Sequence, residues 1–599
     1  MRNYLGLLDG QELVEGYDHY IWMSERCLEG IAWCKKNGLD YEIVPKNWKT
    51  AQEIRVCMDY LEQVKKIVLS YACEILNEYH HTNYDVEQWN ILLTQWLNLY
   101  LASYYDKYLK LKQVERMGAK CECDLYKMEA IVTSLDLLDY TMLLAQTDEY
   151  HVYQYTKLYH EMQPLGVLSS RMNTAYKRPS LPMKTETSAK YTKAWWVKQA
   201  VLLGKKIARK ADDVVLLDSS LPFRLVMKLV LETFGRVMDY TRITDYAENE
   251  RYELSLNVDT KWREAESLIA QGEDEFASMM CRMLKKELPV AYVEGVPFLQ
   301  ERAMEKYRYA LQAKAVLFSS PSLWNDEIFK IYLMNMKRKN ALLCGIEHGG
   351  IEGIDVTIAM NSEYEICDTY YTWGFEKETG RHSFKGMPAA KMVCESSVGQ
   401  PIDSASKSDI LYISYCCSKN IFRIDPEALI FDKTIDEERE FLLNLPSEIK
   451  SNMRIRLFLD AYGWKQYSGL REMDGLRVDT EPIFYKSLER AHLVILEWWQ
   501  TTIGEALLAN KAVIVRRSPL CVTEYEALDD LMALKEAGIL VESFQEMNDR
   551  LSEILPDIDA WWNDPKRQRV INNFRSKYLC SLSDREKRWH NELVRLANL

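Results

Sequence analysis

The segment Gly345-Ile346-Glu347-His348-Gly349-Gly350 sets an acid, an imidazole and two glycines directly after an apolar run. An imidazole at the carboxyl end of a strand can take a proton from a hydroxyl or steady charge on a departing phosphate. The glycines let the chain turn sharply and let a ligand approach the backbone. Asn361, Glu363, Glu365 and Asp368 follow, ahead of a second strand-like run that ends at Trp373-Gly374. His348, Glu347, Glu365 and Asp368 are therefore the candidate catalytic set, with Gly349 and Gly350 at the point of close approach.

A second constellation lies in HLVILEWWQTTIGEALLANKAVIV, residues 492–515. A strand ends near Glu497, Gln500-Thr501-Thr502 open a helix, and Glu505 comes three residues after Thr502. Free N–H groups and the positive dipole end at a helix start suit a phosphate. Thr502 and Glu505 also spell a capping box, which is compatible with that role. Arg454 and Arg456 alternate on one strand and so share a side. Their guanidinium forks match phosphate, although a solvent-facing pair would look the same. Gln500, Thr501, Thr502, Glu505, Arg454 and Arg456 form the candidate donor-binding set. Glu294, Asn325 and Asp326 lie near expected strand ends and are candidates to contact an acceptor.

Strands and helices must position these groups. The apolar runs at 214–220, 289–295, 315–320, 341–350 and 370–375 are strand-length and alternate with helical stretches. A second alternating set runs through 409–415, 453–460, 476–479, 492–497, 511–515 and 538–541. Such alternation predicts parallel sheets covered by helices on both faces. The first third reads as mostly helical. Helix is expected over 51–115 and again over 125–165, with a short strand at Tyr20–Met23. Trp89, Leu92, Leu93, Trp96, Leu99 and Tyr100 share one stripe, which points to core packing rather than a sugar-stacking platform. Polar stretches at 177–190 and 386–408 read as linkers.

The expected division is a helical region over 1–176, which could lend a strand to its neighbour, then α/β domains over 191–385 and 409–564 and a helical tail over 565–599. Two consecutive Rossmann-like domains of this kind are similar to the GT-B arrangement, with a helical N-terminal extension and a C-terminal helical tail. There the site lies at the carboxyl ends of the strands.

A chain of 599 residues has room for roughly three or four domains. Its formal charge of −13 disfavours a nucleic-acid partner. The 14 cysteines show no disulfide framework, and Cys121-Glu122-Cys123 lacks a second ligand pair at zinc spacing. Free thiols fit a reducing cytosol. No apolar run reaches the length of about 20 residues that spans a bilayer, and no signal-peptide pattern opens the chain. The expectation is a cytoplasmic protein whose contact with a membrane, if any, is peripheral, at its inner face.

At these residues the chain resembles the surface-polysaccharide (O-antigen-region) transferases of bacteria, first described from spirochaete gene clusters. Their Gln-His-Gly-Gly, His-Glu, Asp and Trp-Gly-Trp pattern is matched by Glu347-His348-Gly349-Gly350, Tyr364-Glu365, Asp368 and Trp373-Gly374-Phe375. Met23–Cys27, Trp89–Tyr108, Pro289–Glu294, Asn325-Asp326 with Phe329, Arg456 with Tyr462-Gly463-Trp464, Thr501-Thr502 with Glu505, and Trp561-Trp562 continue the likeness along the chain. Glu347 stands where the family has Gln, Tyr364 where it has His, Gln500 where it has Ser, and Arg26 where it has Trp.

The resemblance implies a glycosyltransferase that moves a sugar from a nucleotide-activated donor to a surface glycan or lipid-linked acceptor. The nucleotide-sugar is then a co-substrate. With no Asp-Xaa-Asp at a strand end, no obligatory metal or other cofactor is expected. Transfer of a phosphopolyol on the same scaffold is an alternative. So is a non-catalytic protein that only binds glycan or partners, a reading that draws on Glu347 and Tyr364.

Overall fold

The computed structural model describes the chain apart from residues 1, 10–12, 129–131, 163–167, 180–195, 197–211, 241–257, 266–273, 358–361, 381, 393–408, 459–461, 465–466, 468, 471–472 and 474. Most of both expected linkers, and Asn361, therefore lie outside the described residues. The chain forms two compact units. The first comprises Met1–Glu186, Tyr246–Arg302 and Ser418–Asp432, and the second Thr187–Asp245, Ala303–Cys417 and Lys433–Leu599.

The first unit contains the expected long helices, Ala51–His80 and Val86–Met117. Each starts at a reciprocal capping box, Thr50 with Glu53 and Asp85 with Gln88, which satisfies backbone N–H groups that have no partner within the helix. Each ends where a residue turns left-handed, His81 at φ 53° and Gly118 at φ 69°. The apolar stripe is core. Trp89, Trp96 and Tyr100 are completely buried, and Trp96 stacks on Tyr100 at 4.8 Å. Truncating a tryptophan so placed costs roughly 3–5 kcal/mol.

The same unit also holds a parallel sheet. It consists of β1 (Asn3–Gly6), β2 (His19–Trp22), β3 (Tyr41–Ile43), β4 (Cys121–Lys127) and β5 (Leu168–Ala175), in the order β3-β2-β1-β4-β5. Among the described residues, these strands pair with one another alone. Cys121 and Cys123 fall two apart on β4 with their thiols buried, and every described cysteine is free.

The second unit carries two parallel sheets. One consists of β6 (Val214–Leu217), β7 (Val237–Asp239), β8 (Ala315–Ser319), β9 (Leu342–Ile346), β10 (Thr369–Thr372), β11 (Lys377–Glu378) and β12 (Ser383–Gly386), in the order β11-β12-β10-β9-β8-β6-β7. Among the described strands of this sheet, the β11–β12 pair alone is antiparallel. β6 and β8 are buried at every position, as strands covered on both faces must be.

The other sheet consists of β13 (Ile410–Ile413), β14 (Met453–Arg456), β15 (Arg477–Val478), β16 (Leu493–Leu496), β17 (Ala512–Arg516) and β18 (Leu540–Val541), in the order β15-β14-β13-β16-β17-β18. Counted within this sheet, that is 3-2-1-4-5-6, the doubly wound dinucleotide-fold order, which reverses between β13 and β16. The fold is mixed α/β with parallel sheets and much helix. The loop after β9 is tied to the loop after β17 by Val356 N–H to Val522 C=O at 2.9 Å and Glu524 N–H to Ile354 C=O at 2.8 Å.

Two helices, Pro565–Tyr578 and Arg585–Ala597, make up the tail. Glu592 on the last helix accepts from the Tyr371 hydroxyl at 2.6 Å and the Lys385 ammonium at 2.9 Å, and it pairs with Arg595. Burial alone would raise its pKa, but these donors outweigh burial and hold the carboxyl at about 2. The Trp589 indole donates to Pro388 C=O.

One predicted strand is absent. Pro289–Glu294 contains a 3-10 turn at Val290–Tyr292. Val290 and Ala291 donate their N–H groups to Ser134 and Leu135 carbonyls. A short buried apolar run does not reveal by periodicity whether it is strand or turn. The stretch expected to be helical over 125–165 also begins inside β4.

Among the described residues, no helix is long and apolar enough to cross a membrane.

Candidate active site

β9 delivers Glu347 and His348 just past its carboxyl end. Gly350 at φ 107° and Ile351 at φ 69° then fold the chain back on itself. The Gly350 N–H donates to Thr501 Oγ1 at 3.2 Å. A Cβ on Gly349 would run into that same hydroxyl, so the backbone must be bare there.

Thr501 opens the helix Thr501–Leu508, which follows β16 at the point where its sheet reverses strand order. Gln500 holds the N-cap position without a side-chain hydrogen bond to the helix, so the first amides are not capped from within. The capping box expected at Thr502–Glu505 does not form, because the helix begins one residue before Thr502. The loop of one sheet and the helix start of the other are thus in direct contact.

Lys391 completes this group. It follows β12, its ammonium lies 5.6 Å from the centroid of the Trp373 ring, and the charges of Glu505 and Glu347 act on it. Among the described residues it has no hydrogen-bond or ion-pair partner. Burial lowers its pKa, while the two acids act to raise it. Glu505 is partly buried, and burial raises its pKa against the pull of Lys391.

His348 is exposed, and it too has no hydrogen-bond partner among the described residues. Desolvation by the surrounding chain, then repulsion by Lys391, lower its pKa below the usual histidine value, so the ring is neutral at pH 7. A neutral imidazole can accept a proton.

The remaining candidates fall elsewhere or are already engaged. Glu347 is buried and accepts from the N–H of Trp373 at 2.6 Å and of Glu352 at 3.1 Å. It fastens the β9 turn rather than facing a substrate. Both its oxygens serve as acceptors, which a glutamine amide could not match. Burial, above all, pushes Glu347 up to about 8 and Glu352 well above the carboxylate range.

Asp368 precedes β10 and so lies at the amino-terminal edge of the sheet. It binds Lys337 and the Leu343 N–H, both at 2.8 Å. Glu365 stands on the same approach to β10. Glu363 accepts from Ser320 and from Tyr370. Tyr364 packs among Tyr370, His382 and Phe384.

Arg454 also sits at an amino edge, held by Asp409 and Ser487 C=O. Arg456 reaches the carboxyl edge, but Asp479 at 3.2 Å and Glu481 C=O at 2.8 Å occupy it. Glu294 is locked to the buried Arg263 at 2.7 and 2.8 Å, which removes it as an acceptor contact. Asn325 ends the short helix Ser320–Asn325, and Asp326 caps the next helix by accepting from the Phe329 N–H at 2.9 Å. Both lie one helix beyond the strand end expected for them.

Lys391 was missed in the sequence. Its one local signal is its position five residues past a strand's carboxyl end, in the run Met387–Met392. Among the described residues, no three His, Cys, Asp or Glu side chains gather as a metal-ligand group.

The chain is similar to several solved structures, at low scores. MurG of Acinetobacter baumannii is 11% identical, covering 64% of this chain and 99% of its own, with a TM-score of 0.33. The glycosyltransferase SnogD of Streptomyces nogalater is 14% identical, covering 65% and 100%, also at 0.33. The N-terminal domain of trehalose-6-phosphate phosphatase from Candida albicans is 9% identical, covering 65% and 97%, at 0.30. Scores this low assign neither fold nor function. No curated protein matches the chain. The family model described as LIC12162 family transferase matches residues 13–593, and the chain belongs to that family of transferases.

Proposed function

We propose that this transferase moves a glycosyl group from a nucleotide-activated donor to a hydroxyl of a surface glycan or lipid-linked saccharide, as a cytoplasmic GT-B enzyme. The observation that carries the proposal is the contact between the Gly349-Gly350 turn, beside the neutral His348, and the uncapped helix start at Thr501, with Lys391 next to both.

The donor diphosphate takes the helix amides, Thr502 and the Lys391 ammonium, and Glu505 takes ribose hydroxyls. His348 accepts the acceptor's proton as the new carbon–oxygen bond forms. The carbon–oxygen bond to phosphate breaks with its electron pair leaving on the nucleoside diphosphate. Lys391 and the helix dipole stabilise the charge that develops there.

Melting curves with UDP-, CMP-, GDP- and CDP-linked sugars identify the donor by the stabilisation that binding confers. With that donor, His348→Ala should lower transfer about 10²–10⁴-fold. As an exposed position, it should leave stability within about 0.5 kcal/mol. Activity should rise with pH on the acid side as His348 loses its proton. Lys391→Gln should move that limb to higher pH, because the repulsion that lowers the His348 pKa is gone. A fully active His348→Ala, or no nucleotide-linked sugar that stabilises the protein, would end this reading. Stabilisation by CDP-polyols alone would replace it with phosphopolyol transfer.

A further inference from the structure

In the first unit a pocket opens at the carboxyl ends of its own parallel sheet. Leu7 and Leu8 follow β1, Ser24 and Arg26 follow β2, and Asn47 and Trp48 follow β3. The strand order reverses between β1 and β4, and doubly wound sheets bind ligands outside the strand ends at such a reversal.

The charges around the cavity are unevenly matched. Lys419 is neutralised by Asp9 at 2.7 Å, and Lys46 by Asp432 at 3.3 Å. Lys107 and Lys110, from the helix Val86–Met117, are almost fully buried and form no salt bridge among the described residues, although the Asp106 carboxylate acts on both and that of Glu25, also in the lining, acts on Lys110. Lys107 donates only to the Ser103 carbonyl, at 3.1 Å. Lys110 donates to the Val44 and Pro45 carbonyls, at 3.1 and 2.7 Å. An ammonium has three donors, so Lys107 keeps two in hand and Lys110 one. Asp106 is engaged by Asn47 at 2.7 Å.

His151, fully buried in the cavity wall, donates Nε2–H to the Leu144 carbonyl at 2.7 Å, and its Nδ1 has no partner. A buried polar atom without a partner is costly unless something meets it.

We infer that this cavity binds an anionic sugar, with Lys107 and Lys110 holding a phosphate or carboxylate group and His151 Nδ1 accepting from a sugar hydroxyl. Trp48 and Tyr155 in the wall give the sugar ring an apolar surface. Burial lowers Lys107 to about 8, which leaves it mostly charged at pH 7, and an anion beside it would raise that value. Burial also lowers His151 well below the usual range, so its ring stays neutral with a free acceptor lone pair. The inference does not depend on the transfer chemistry proposed for the second unit.

Calorimetric titration of the full-length protein tests it, using glucose 1-phosphate, glucuronate, neutral glucose and inorganic phosphate. Binding is expected for one or both anionic sugars, more tightly than for glucose or phosphate alone. Which anionic sugar binds identifies the acid group. Lys107→Met and Lys110→Met should each weaken that binding about tenfold or more, the worth of a charge-assisted hydrogen bond. His348→Ala and Thr501→Val should leave it unchanged, which separates this site from the other. Melting curves establish that each variant is folded, and either lysine variant alone suffices. The proposal is overturned if no anionic sugar binds, if phosphate binds as tightly as the sugars, or if Thr501→Val abolishes binding that both lysine variants keep.

Discussion

The two edges of the parallel sheets in the second unit treat charge differently. At the amino edges, Asp368 is matched by Lys337 and a backbone amide, and Arg454 by Asp409. At the carboxyl edges Arg456 is matched by Asp479 and Arg516 by Glu497, but among the described residues His348 and Lys391 have neither hydrogen bond nor ion pair, and the helix at Thr501 starts uncapped. Charges at the amino edge hold strands together. The charges left available, His348 and Lys391, lie at the carboxyl edge, and that is where doubly wound folds do chemistry.

The sharpest way to break this contrast is Gly349→Ala. The added methyl must push the β9 turn away from Thr501. A displacement of about 1 Å in such a site lowers turnover on the order of a hundredfold. Gly380→Ala, where a Cβ meets nothing within 4 Å, is the control and should change nothing. Equal activity of the two variants in a transfer assay would remove the turn from the site.

Asp368→Ala should do the reverse, lowering stability by about 1–3 kcal/mol in urea denaturation with turnover intact. A stable but inactive Asp368→Ala would mean that the amino edge is catalytic after all.

The smallest effect concerns the buried acids behind the turn. Glu347 and Glu352 have folded pKa values above the ordinary 4.5, so the native state binds more protons than the unfolded chain. Stability should therefore decline as pH rises from about 4.5 towards 8. Glu352→Gln removes its share of that decline, so the variant should match the parent at pH 5 and resist urea better at pH 8. A difference that does not change with pH would show that Glu352 does not titrate in this range.

β6, β8, β9, β13, β16 and β17 were readable because parallel strands buried on both faces are continuous apolar runs. The sheet of the first unit was largely unreadable. β4 reads CECDLYK and β5 LSSRMNTA, half polar, and both follow two long helices with a far stronger period. His348, Gly349 and Thr501 stood out because glycines after a strand and threonines at a helix start have few other uses. Lys391 did not, since what brings it to His348 is the neighbouring position of β12, β10 and β9 in the sheet, which no local spacing encodes. Asp368 and Arg454 were misassigned for a simpler reason. Each lies at the beginning of its strand, and strand direction decides which edge a residue occupies.

The helix Arg585–Ala597 closes over a sheet made much earlier in the chain. Tyr371 and its partner Glu592 are 221 residues apart. At roughly 5–20 residues per second, translation leaves that interval open for about 10–45 s. During this time β10 and β12 are complete, but the tyrosine and lysine that the helix will engage are uncovered. Shielding of the nascent chain over that window, and sensitivity of the sheet to loss of this helix, follow from where it docks.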